Sequence, residues 1–184
     1  MEQIKIVFFL LGSFFGMEDG LIAANETVVT VYPKEHKIEI IQNNLFAIVQ
    51  LEKDTILVSE QWNKITKWNE QKTGWSNDLE DFSEKNISFR IIDNDSIQPH
   101  LSLTYSNEKD LRKLGIWYDA EKNQFSINHI PNDNITSNDG QLVGNYYIFD
   151  GNKPFTFTIQ PFLQMLDVYK SYKRPLNEVI HSNN

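Results

Sequence analysis

The sequence predicts an α+β domain, an antiparallel sheet of six to eight strands with three or four helices packed mainly on one face. Three observations lead there. Short β-branched or aromatic runs alternate with turn residues through most of the chain, as in FTFTI at 155–159. Connections between these runs are mostly short, which antiparallel pairing permits and parallel pairing does not. One long stretch, 54–73, spaces its apolar residues with helical rather than alternating period.

The elements follow in order. Residues 1–24 read as a secretory signal peptide: Lys5, a twelve-residue apolar run and a short polar stretch ending in Ala23-Ala24. The run is too short for a stable membrane anchor. Glu2, Glu18, Asp19 and the bulk of Ile22 fit that layout poorly, and a buried first strand or helix is the competing reading. The rest, 25–184, reads as one domain with a tail fraying from about 176. TVVTVY at 27–32 and KIEIIQ at 37–42 make a strand pair around Pro33, while 45–51 leaves strand and helix both open.

A helix from Asp54 or Thr55 runs to about Thr73, with Gly74 as its stop and a short helix within 76–85. Strands at 87–92 and 97–105 flank a turn. Asn107–Gly115 is a short helix with Gly115 at its left-handed end. IWYD and QFSINHI make a hairpin, and 131–140 is a polar loop whose single apolar anchor is Ile135. Strands at 142–149 and 155–160 flank the turn pair Asp150-Gly151. Pro161 and Pro175 bracket a last helix over 162–172.

Composition bounds the function. The 184 residues carry 17 Lys+Arg against 25 Asp+Glu, a net charge of −8, which disfavours nucleic acid as a partner. Without cysteine there is no disulfide, thiolate nucleophile, Cys-ligated zinc or Cys-anchored lipid. The only basic knot, Lys170, Lys173 and Arg174, reads as cations complementing the C-terminal dipole of the last helix.

Three of the four tryptophans lie in WNKITKWNEQKTGW, 62–75. Val58, Trp62, Ile65, Trp68, Trp75 and Leu79 fit within roughly 140° of a helical wheel, the arc of an ordinary core-facing stripe. Trp75, just past Gly74, is the ligand candidate of that group. On strands, Trp117-Tyr118 and Tyr146-Tyr147 must each send one ring to the core and one to the opposite face. An uncovered opposite face would be a shallow aromatic surface. His100 and His129 lie on expected strands and meet only if the fold brings them together.

No His pair has zinc spacing, and no Gly-x-Ser-x-Gly, Walker or dinucleotide motif is present. The sequence therefore implies no catalytic residue, no metal site and no cofactor. The leading expectation is an exported, non-enzymatic binding domain for an apolar small molecule, a glycan or an envelope protein. The rivals are a cytosolic acidic inhibitor or immunity-type protein that binds a basic partner, and a small hydrolase with no local motif.

Overall fold

A computed structural model describes residues 8–92, 96–128, 134–163 and 167–181. It is α+β, with two antiparallel sheets where the sequence suggests one. The seven-stranded sheet contains β1 (Ile22–Tyr32), β2 (Lys37–Ile48), β3 (Phe82–Ile91), β4 (Ile97–Tyr105), β7 (Ile135–Thr136), β10 (Phe155–Ile159) and β11 (Lys173–Pro175). Their order is β3-β4-β2-β1-β10-β7, and β11 joins β2. The four-stranded sheet runs β5-β6-β9-β8, from β5 (Ile116–Asp119), β6 (Gln124–Asn128), β8 (Gln141–Val143) and β9 (Tyr146–Asp150). The helices are α1 (Glu52–Thr66), the single turn α2 (Asp167–Lys170) and α3 (Leu176–His181), so only α1 and α3 are substantial.

The second sheet exists because the chain changes layers at Asp150-Gly151. The sequence suggests a hairpin there, yet β9 stays with β6 while β10 pairs with β1. At the crossing, Gly151 N donates to the Asn123 carbonyl at 2.9 Å. A Cβ on Gly151 would lie 2.7 Å from that same oxygen, so only glycine lets the chain pass. Phe149 stacks on Phe155 with centroids 4.2 Å apart, and Phe125 meets Phe155 at 5.3 Å, which joins the two sheets through their buried faces. The expected strand 142–149 is itself split into β8 and β9, because Gly144 takes φ 59° between them.

Other boundaries move for local reasons. Asp54 does not cap α1; its carboxylate reaches back to the backbone N–H groups of Gln50 and Leu51 at 2.9 and 2.8 Å, so the helix begins earlier. It ends at Thr66, whose hydroxyl bonds back to the Trp62 carbonyl at 2.9 Å, and the chain turns before Gly74. The open stretch 45–51 is largely strand, as β2 continues to Ile48. The short helix at 76–85 shrinks to one 3-10 turn, Asn77–Leu79, before β3 begins. Residues 108–114 also form a 3-10 helix, with Gly115 at φ 76° as expected. Ile135, the one apolar residue of the polar loop, is fully buried in β7.

Part of residues 8–24, within the stretch 1–24 expected as a removable leader, packs against this core. Phe8, Leu11, Phe14, Ile22, Ala23 and Ala24 are buried. The buried side chains of Thr27 and Gln42 both donate to the Phe8 carbonyl, at 2.6 and 3.2 Å. Gln61 of α1 clamps the same segment, accepting from Leu21 N at 2.9 Å and donating to the Asp19 carbonyl at 2.8 Å. Ala24 and Asn25 lie inside β1, so a cut between them would divide a paired strand. A chain starting at Asn25 should therefore lose cooperative unfolding in calorimetry. A sharp transition at the full chain's Tm would show that the segment is dispensable.

Candidate functional site

A cleft forms where β2 changes neighbours. One edge of β2 pairs with β1 along nearly its whole length. The other edge pairs with β4 from Lys37 to Ile41, and the Gln98 amide extends the contact to Asn43 Oδ1 at 2.7 Å. From Phe46 to Ile48 that edge belongs to β11 instead. Between the two partners Asn44 takes φ 54°, a left-handed conformation that asparagine tolerates better than most residues. Pro175 ends β11 with no N–H to extend the ladder. The interruption leaves a cleft of about 330 Å³. Leu45, Phe46, Ile97, Pro175 and Leu176 supply its apolar lining, and Asn25, Asn44, Ser96, Lys173, Arg174 and Asn177 its polar groups.

Lys173 is the distinctive group. Its ammonium donates to Asn25 Oδ1 and lies 4.0 Å from the ring centre of Phe46 and 5.5 Å from that of Phe162. The two rings meet edge to face at 5.2 Å. Burial, and secondarily the charge of Lys170, holds the Lys173 ammonium below the ordinary lysine pKa. Arg174 Nη1 donates to the carbonyls of Ser171 and Lys173 at 2.9 and 3.1 Å, which fixes the guanidinium at the rim.

This corrects the reading of the basic knot as a helix terminus. Lys170 does close a helical turn, paired with Asp167 at 2.7 Å. Lys173 and Arg174, by contrast, stand on a strand. The sequence held one clue, since the residue before a proline is driven out of the helical region and Arg174 precedes Pro175. The expected helix over 162–172 concealed it.

Among the described residues, those singled out from sequence do not converge. Trp75 stacks on Phe15 with centroids 4.9 Å apart and an interplanar angle of 20°, and Trp68 lies 5.1 Å from it. Both lie beyond the end of α1, so it is their shared contact with Phe15 that places them, not a continuous helical stripe. Trp62 meets Phe89 edge to face at 5.6 Å. The paired aromatics split between faces. Tyr118 and Tyr147 pack on the core, and Tyr118 also donates to Asn123 Oδ1 at 2.8 Å. Trp117, 5.1 Å from the Arg112 guanidinium, and exposed Tyr146 lie on the outward face of the four-stranded sheet.

His100 is on the outward face of the larger sheet, its Nε2 3.8 Å from Glu39 Oε2, too far for a hydrogen bond. His129 lies outside the described residues. Among the described residues no three His, Asp or Glu side chains come together to hold a metal, and no helix is long and apolar enough to cross a membrane. Comparison with protein-family models, curated proteins and solved structures finds no match.

Two outcomes test these placements. Trp75→Ala should lower stability by about 3 kcal/mol in urea titration, as expected for a packed ring. The hydrogen bond from Lys37, at 2.6 Å, is the main reason the Glu39 carboxyl sits below its ordinary pKa. That contribution is present above the ordinary glutamate value and lost as pH falls through the lower folded value. Glu39→Gln should therefore flatten the acid limb of the stability–pH curve, and an unchanged limb would contradict the assignment.

Proposed function

We propose that this protein is a non-enzymatic binding module that takes a small ligand into the cleft between β4 and β11. The observation that carries the reading is the convergence of three asparagine amides, a serine hydroxyl and two cations around an apolar lining within one cleft of about 330 Å³. That volume lies at the lower end of the range for small-molecule sites. An apolar cavity of roughly 150 Å³ accommodates benzene, so this cleft suits a molecule of about a dozen heavy atoms. The outward face bearing Trp117 and Tyr146 touches a ligand from one side only. The cleft touches a ligand from several sides, which favours it.

The module acts, in this reading, with residues 8–24 in place. Asn25 reaches the cleft from within β1, directly after the buried pair Ala23-Ala24. Its amide donates to the Asn44 carbonyl at 3.0 Å, which ties the two walls together. A cut after Ala24 would turn this wall residue into a chain end.

A neutral probe tests the site without presuming charge. Benzyl alcohol titrated into the full chain should produce saturable NMR shifts confined to the methyl groups of Leu45, Ile97 and Leu176. Leu45→Trp, which fills the space, should abolish them. Shifts scattered over the surface, or none at millimolar probe, would overturn the reading.

A further inference from the structure

We infer that the ligand of this cleft is a compact organic carboxylate, with Lys173 as its counter-ion and the apolar lining holding its body. This rests on the cleft being the binding site and adds the chemical class of what enters it. The chain carries more acids than bases, 25 against 17, yet among the described residues every charged group lining the cleft is a cation. Glu26, next to Asn25 in sequence, turns to the outward sheet face. There Asn43 and Gln160 each donate to it at 2.9 Å. The one acid nearest along β1 is thus bound elsewhere.

Lys173 has a place in the fold but, among the described residues, no anionic partner. Among the described residues, its only hydrogen-bond partner is the neutral Asn25 side chain, and no carboxylate lies within ion-pair distance. Two of its three N–H groups thus have no described protein partner. A part-buried cation compensated only by ring faces and one amide is under-compensated, and an arriving anion corrects that. The lowered ammonium pKa agrees with this reading.

The apolar lining selects the class of anion. Arg174 donates Nη1 to two carbonyl groups at the rim, which leaves Lys173 as the cation set against the rings of the cleft. Phosphate would leave the surfaces of Leu45, Phe46, Ile97 and Leu176 uncovered. A carboxylate on a hydrocarbon body satisfies both halves. The side-chain amides of Asn44 and Asn177 and the Ser96 hydroxyl are the neutral donors available to its second oxygen.

The test uses the full chain and three probes: benzoate, its neutral isostere benzamide, and inorganic phosphate, each titrated calorimetrically at constant ionic strength. Benzoate should bind at least tenfold more tightly than benzamide and more tightly than phosphate. Lys173→Gln should reduce the benzoate-to-benzamide preference below threefold. Equal affinity for benzoate and benzamide would overturn the carboxylate class and leave the cleft reading standing, provided benzyl alcohol shifts Leu45, Ile97 and Leu176. Tighter phosphate binding would overturn the choice of carboxylate. A preference surviving Lys173→Gln would overturn the role of Lys173. The wild-type comparison decides the ligand class even if that variant fails to fold.

Discussion

A strand has two edges, and the molecule is organised by how β2 uses its own. One edge is matched to β1 from Lys37 to Ala47, where it unites the apolar side chains of the two strands into one buried face. The other edge is divided between β4 and β11. Neither partner covers Leu45, because asparagine in a left-handed conformation precedes it and proline ends β11 opposite Phe46. The cleft is the consequence of that division. It is a gap in hydrogen-bonded pairing, lined by residues from four separate stretches of the chain.

The buried layer depends on a second constraint, that polar groups taken from water need partners. The Phe8 carbonyl receives two buried donors, Thr27 and Gln42, which sit opposite each other in the β1–β2 register. Gln61 performs a similar task at Leu21 and Asp19. The N-terminal segment is thereby held by hydrogen bonds as well as by its phenylalanines. Its apolar character serves the core in this structure, and the same character makes it look like a leader. A twelve-residue apolar run satisfies both descriptions, and hydropathy alone does not distinguish them.

The aromatic residues divide by the same logic of faces. Alternation along β5 and β9 required one ring of each adjacent pair to point inward, and Tyr118 and Tyr147 do so while Trp117 and Tyr146 point out. That much was legible from the sequence, because strand periodicity is a local property. Trp68 was legible as core-facing, while Trp75 stood out as a ligand candidate at an expected helix end. Helical geometry was the wrong reason, since the helix stops at Thr66 and their partner is Phe15, far away in sequence.

By itself the sequence determined the α+β class with antiparallel pairing, the positions of most strands, Gly115 as a helix end, Ile135 as a loop anchor and the two-faced character of FTFTI. Each follows from propensities and periods that act within a few residues. Tertiary structure alone decided that β9 and β10 belong to different sheets, that Phe8, Leu11, Phe14 and Phe15 join the core, and that Lys173 faces Asn25, Phe46 and Phe162. These depend on pairings between residues up to 148 positions apart. Their free energy comes from burial and hydrogen bonding between distant segments, and no local pattern encodes which segments meet.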